Sequence, residues 1–159
     1  MMTNEASPQA EAAAQFARKV FCELQRAILQ HETGALAGEV ESVHDMRVGI
    51  RRLRVALGNF RSWLSKDDRQ RLRSRMEHLA DALGGVRDLD VMIEALKSKS
   101  AARPAEQRAA ISRFVNCLRA RRRRRHQRLV GYLQSREYAD FKLEFQTGLP
   151  NSIPQGTSQ

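Results

Sequence analysis

The chain has 159 residues, enough for one domain with its own core; 42% of them are hydrophobic and 29% are charged. Its 28 Lys and Arg against 18 Asp and Glu give a formal net charge of +10, which attracts phosphates, anionic membranes or acidic proteins without fixing a fold. There is no apolar run of 18 residues and no basic-then-apolar leader, so neither a transmembrane helix nor a signal peptide is expected.

Residues 1–7 are expected to be a flexible N-terminus. No proline occurs between Pro8 and Pro104, and no segment alternates apolar and polar long enough for a strand. A first helix is expected from Pro8 to about Glu32, with Phe16, Val20, Leu24, Ala27 and Leu36 on its apolar face. A loop holding Gly34 and Gly38 follows. Ser42, three residues before Asp45, is similar to a capping box and opens a second helix reaching about Leu64.

Ser65, with Asp67 and Asp68 behind it, opens a third helix whose buried stripe is Leu72, Met76, Leu79 and Leu83. Gly84-Gly85 is expected to break it, with a continuation from Val86 to about Ser98. Lys97 to Arg103 reads as a polar connector. Pro104 suits the first turn of a long helix to about Gln134, and a last helix from about Glu137 to Thr147 offers Tyr138, Phe141 and Phe145. Residues 148–159 read as a flexible tail. The expected fold is all-α: an antiparallel bundle of four to five helices in a single domain over residues 8–147.

The positive charge is mostly guanidinium, since 23 of the 28 basic residues are Arg. Guanidinium forks onto phosphate oxygens, whereas an ammonium acts as a point charge. On the second helix Met46, Ile50, Leu53, Leu57, Phe60 and Leu64 form one stripe. His44, Arg47, Arg51, Arg54 and Arg61 form an adjacent stripe, with Gly58 on it. A solvated face ordinarily mixes Glu with Arg at four-residue spacing, but after its start this helix has only Asp45. An anionic partner running along the helix fits that imbalance.

On the fourth helix, Ile111, Phe114, Leu118, Leu129 and Leu133 share an arc of about 100°. Between them runs Arg121-Arg122-Arg123-Arg124-Arg125-His126. On that arithmetic Arg121, Arg122 and Arg125 point inward, where each needs a carboxylate or a bound anion. Asp88 and Asp90 are the nearby carboxylates and are expected to orient arginines. Two residues apart on a helix, they face different ways, which suits neither acid–base chemistry nor a shared metal. Arg69, Arg71 and Arg73 cluster at the start of the third helix and are expected to matter far less for binding.

Val43-His44-Asp45-Met46-Arg47-Val48 with Ile50-Arg51-Arg52-Leu53-Arg54 resembles a signature of the CHAD (conserved histidine α-helical domain) family, V-H-x-M-R-V-x-x-R-R-L-R. Leu83-Gly84-Gly85-Val86-Arg87-Asp88-Leu89-Asp90-Val91 resembles that family's second motif, L-G-x-V-R-D-L-D-V. The resemblance covers about residues 10–147. It implies an all-helical fold, binding of inorganic polyphosphate through inward Arg and Lys, and a cytoplasmic protein associated with polyphosphate granules. Carried over by position, it assigns His44, Arg47, Arg51, Arg52, Arg54 and Arg87 to the binding surface. The chain resembles one half of the two-bundle arrangement usual in the family, which leaves two expectations open: half a binding unit completed by a homodimer around one groove, or a reduced or shortened member with a shallower site.

His31, His44, His78 and His126 show no ligand spacing with one another or with Cys22 and Cys117, so no metal site is expected. The two cysteines are expected to be buried free thiols. No cofactor is implied, and no nucleophile–base pair or phosphate-cradling glycine loop points to an enzyme. Nonspecific nucleic-acid binding is the competing reading, permitted by charge, but the few aromatics lie on apolar stripes and are not interleaved for base stacking. A structural bundle that docks a protein partner is a third.

Overall fold

Long proline-free stretches with apolar residues every three or four positions bury one face each when helical. Residues 8–152 are described by the computed structural model, with side chains for residues 8–147. The helices are α1 (Pro8–Leu29), α2 (Glu32–Ala37), α3 (Val40–Asn59), α4 (Lys66–Ser100), α5 (Ala105–Leu133) and α6 (Arg136–Ser152), with a 3-10 turn, Arg61–Trp63, before α4. No strand occurs among the described residues. Five long helices and the six-residue α2 make the all-α bundle that the periodicity predicts.

The boundaries differ from the sequence reading at several places, among them the end of α3, which stops at Asn59 and gives way to the 3-10 turn short of Leu64, and the end of α4, which reaches Ser100 inside the expected connector. α1 ends at Leu29, and the expected glycine loop is α2, closed by Gly38 at φ +81°. That left-handed residue lets the Gly38 and Glu39 amides cap the Ala35 and Gly34 carbonyls. α3 starts one turn earlier than expected: Glu39 is its N-cap residue, and Ser42 donates to the Glu39 carboxylate at 2.8 Å without capping the helix. α4 runs through Gly84-Gly85 without a break. Two glycines cost about 2 kcal/mol of helix propensity, but Leu79, Leu83, Val86 and Leu89 are buried on either side and hold the segment helical. α6 continues through Gly148 and Pro150 to Ser152, past the expected end at Thr147. The expected flexible ends at 1–7 and 153–159 lie outside the described residues.

Ser65 caps α4 as expected. Its hydroxyl accepts from the Asp68 amide at 3.0 Å and donates to the Asp68 carboxylate at 2.7 Å. That bond, with Arg71 alongside, holds the Asp68 carboxyl below its ordinary range.

The main core gathers Phe21 and Ile28 of α1, Met46, Ile50 and Leu53 of α3, Leu72 to Val86 of α4, and Tyr138, Phe141 and Phe145 of α6. Gly49 permits the close approach of α1 and α3, because a β-carbon there would meet Ile28 at 2.7 Å. α3 packs between α1 and α4, and α4 lies between α3 and α5. Beyond the main core α4 and α5 continue alone around a small second cluster, Leu89, Ile93, Val115 and Leu118. Phe16 and Phe114, expected in apolar stripes, are 60% and 51% exposed. Cys22 and Cys117 are free but exposed, which corrects the expectation of buried thiols.

Candidate polyanion groove

Arg47, Arg51 and Arg54 recur at steps of four and three on α3, so they line one side of that helix. The adjoining side, Met46, Ile50, Leu53 and Leu57, is buried. The arginines are thereby held at the junction with α4, where a cavity of ≈ 440 Å³ opens between the two helices. Ala80, Asp81, Gly84, Gly85 and Asp88 of α4 form its floor.

The glycine pair shapes that floor. Arg47 Nε lies 3.7 Å from the position a β-carbon on Gly84 would take. From the other flank, Arg125 Cδ of α5 lies 3.4 Å from the corresponding point on Gly85. Two arginines from different helices therefore approach bare backbone on adjacent residues of α4. The pair that reads as a helix break in the sequence is a helical floor with its side chains removed.

Arg47 is half-buried while Arg51 and Arg54 are exposed. Among the described residues neither Arg47 nor Arg51 has a carboxylate within 4 Å, and Arg54 has only Glu77, at 3.9 Å. Several other arginines are paired, across helices or within one. Arg71 and Arg75 reach Glu144, Arg73 reaches Glu77 and Arg122 reaches Asp90. Asp81 and Asp88 share the cavity with Arg47 and Arg51, so its wall is basic and part of its floor acidic.

Of the residues selected from sequence, the fold brings Arg47, Arg51, Arg54, Arg125 and Asp88 to this face of α4. Arg122 points inward as expected, but it is occupied. It donates to both oxygens of Asp90 and, at 2.9 Å, to the Gly38 carbonyl. Asp90 is thus an orienting carboxylate for Arg122, while Asp88 is exposed and has no ion-pair partner among the described residues. Arg121 is exposed, which corrects its inward assignment, and Arg125 is likewise more exposed than expected. The helix is rotated relative to the expectation because Val115, not Phe114, is buried. His44 and Arg87 are half-buried and Arg52 is exposed, and none of the three lines this cavity.

A second, larger cavity of ≈ 850 Å³ shares Arg51 and Arg54 with the first and extends toward the start of α4. Lys66, Arg69 and Arg73 line it, with Glu77 at its inner end. Of Arg69, Arg71 and Arg73, expected from the sequence to matter far less for binding, Arg69 and Arg73 line this cavity, whereas Arg71 turns to Glu144. The spacing 66, 69, 73, 77 already places these positions along one side of a helix. The signal was in the sequence and needed only the α4 partner face to be known.

Among the described residues no group of three His, Cys, Asp or Glu is placed to hold a metal ion, and no helix is long and apolar enough to cross a membrane. The family model for the CHAD domain matches residues 19–158. The chain belongs to the CHAD domain family, whose domains in general bind polyphosphate. No curated protein matches it.

Proposed function

We propose that this protein binds inorganic polyphosphate, without catalysing a reaction on it, in the groove between α3 and α4. The observation that carries this reading is the pair Arg47 and Arg51, which lack carboxylate partners among the described residues and line a cavity with Gly84 and Gly85 in its floor, Arg47 Nε lying 3.7 Å from the β-carbon position of Gly84. Arg47 is half-buried and Arg51 exposed beside it, both with their fork of donors open to the cavity, and a phosphate chain would supply the acceptors. Removing side chains from the floor lets an extended chain approach the helix backbone. His44, Arg52, Arg87 and Arg121 would then act from the rim as electrostatic support. The proposed setting is cytoplasmic, at polyphosphate granules.

The groove is open along one side, and a homodimer that faces two such grooves toward one polyphosphate chain belongs to the same proposal. Sedimentation of the free and polyphosphate-saturated protein tests it, and a monomer in both states removes it.

The deciding experiment titrates the protein with long-chain polyphosphate and with double-stranded DNA matched in total charge. A duplex is wider than the spacing of two packed helices, about 8–10 Å, so polyphosphate is expected to bind more tightly. Affinity should fall steeply with salt, by analogy with counterion release from nucleic acids. Equal affinity for duplex DNA would mean that only bulk charge is read, and would favour nucleic acid as the partner.

A further inference from the structure

We propose that the polyanion track continues past Arg51 and Arg54 into a second subsite formed by Lys66, Arg69 and Arg73, and that Glu77 is an internal competitor for that subsite. This inference rests on the polyphosphate reading of the first cavity and extends it. Three features carry it.

The first is continuity. The ≈ 850 Å³ cavity and the ≈ 440 Å³ cavity share Arg51 and Arg54, so a ligand leaving one enters the other without losing contact with guanidinium. Gly58 removes a side chain from the α3 wall of the larger cavity, and nothing lies within 4 Å of its would-be β-carbon.

The second is the way α4 sorts its charges. Lys66, Arg69 and Arg73 face the cavity. Arg71 and Arg75 lie on another side of the helix and are engaged by Glu144 of α6. The groove-facing cations have no comparable tie to the bundle.

The third is Glu77, which accepts from Arg73 Nε at 3.0 Å and lies 3.9 Å from Arg54. Its carboxylate lines the larger cavity beside Arg54, which both cavities share, and engages one cation from each wall. A phosphate reaching this point offers the same acceptor chemistry with more oxygens and more charge. The Glu77 side chain is 43% exposed, and ion pairs of that exposure are weak, so displacing it costs little. A short chain held by Arg47 and Arg51 does not reach Glu77. A long chain does, displaces Glu77 from Arg54 and Arg73, and continues to Arg69 and Lys66. Chain-length discrimination is then set at this junction.

The test compares tripolyphosphate with long-chain polyphosphate on the full chain, by calorimetric titration, with circular dichroism confirming that each variant keeps its helicity. The variants are Arg69→Gln with Arg73→Gln, Glu77→Gln, and Arg47→Gln with Arg51→Gln. The Arg69/Arg73 pair is expected to weaken long-chain binding by about tenfold or more, and tripolyphosphate binding by less than about twofold. Glu77→Gln, which keeps helix propensity, is expected to tighten long-chain binding by about threefold and leave tripolyphosphate unchanged. Equal losses for both ligands in the Arg69/Arg73 variant, or no loss for either, overturn the second subsite while the first stands through Arg47 and Arg51. Weaker long-chain binding in Glu77→Gln overturns the competitor role. A wild-type chain that binds neither ligand overturns the polyphosphate reading and this extension with it.

Discussion

Arg122 of α5 and Asp90 of α4 join the two longest helices at the seam between the main core and the smaller α4–α5 cluster. One guanidinium satisfies both Asp90 oxygens and the Gly38 carbonyl that ends α2. Asp90 is 7% exposed and is the only buried polar or charged residue among those described. Removing either partner leaves the other charge nearly buried and unmatched. Asp90→Ala or Arg122→Ala is therefore expected to cost about 3 kcal/mol, read as a lowered urea midpoint. Replacing both together by Leu and Met should cost less than either single change.

Replacing Arg47, Arg51 and Arg54 by Gln is expected to weaken long-chain polyphosphate binding at least about a hundredfold, at roughly 1.5–3 kcal/mol for each charge-assisted contact. The matched control is Arg108, Arg119 and Arg136, also changed to Gln. These side chains have only local partners (the Arg103 carbonyl, Asn116 and Asp140) and line neither cavity. Both triples remove three charges, so equal losses in a binding titration would show that net charge, not the groove, is being read.

Gly84→Ala and Gly85→Ala separate stability from binding. The new β-carbons would meet Arg47 and Arg125 at 3.7 and 3.4 Å, which is ordinary contact. Each change should then stabilise α4 by up to about 1 kcal/mol through helix propensity, raising the melting temperature. Each also adds a methyl group to the floor of the cavity. Polyphosphate affinity is expected to fall as stability rises, and a variant that gains in both would show that the ligand does not approach the floor.

Alkaline conditions should destabilise the fold through its tyrosines. Burial, with Glu137 nearby, pushes the Tyr132 hydroxyl up to about 12, and burial next to Glu32 raises Tyr138 further. A phenol whose folded pKa lies above its unfolded value of about 10 stabilises fully below pH 10. That contribution is lost as pH rises from about 10 through the folded value, because the unfolded chain ionises first. Urea midpoints should hold steady from pH 8 to about 9.5 and then fall. Tyr132→Phe, which gives up only a 3.2 Å bond to the Arg75 carbonyl, should flatten part of the fall.

The helices, the core stripes of α3 and α4 and the Ser65 cap were readable because each depends on spacing within a single segment, whereas α1 buries Ala14, Ala17, Phe21 and Ile28 in place of the expected Phe16 face. Met46, Ile50, Leu53 and Leu57 are all buried, as their periodicity requires. The misreadings arose where tertiary packing decides. Gly84-Gly85 breaks an isolated helix, but here it stays helical because the residues around it are packed on both sides. On α5 the choice between Phe114 and Val115 as the core residue was undetermined by size or hydropathy. Taking Phe114 rotated the expected inward face toward Arg121, whereas burial of Val115 favours Arg122. The α3 half of the groove was legible from the arginine stripe and the family motif. The α4 half was not, because nothing local says which face of α4 meets those arginines.

The length of α4 divides the molecule into unequal cooperative units. At 35 residues α4 is about 52 Å long, and only the part before Asp90 is surrounded by other helices. Past that residue the α4–α5 hairpin relies on Leu89, Ile93, Val115 and Leu118, and residues 101–110 are exposed throughout. So small a cluster cannot match the protection of the main bundle, and the hairpin tip opens in fluctuations that leave the rest folded. Amide hydrogens near Leu96 and Ile111 should exchange well before those of Leu79 to Val86, with the boundary at Asp90 and Arg122. The groove, built on the protected segment, would keep its shape while the tip opens and closes.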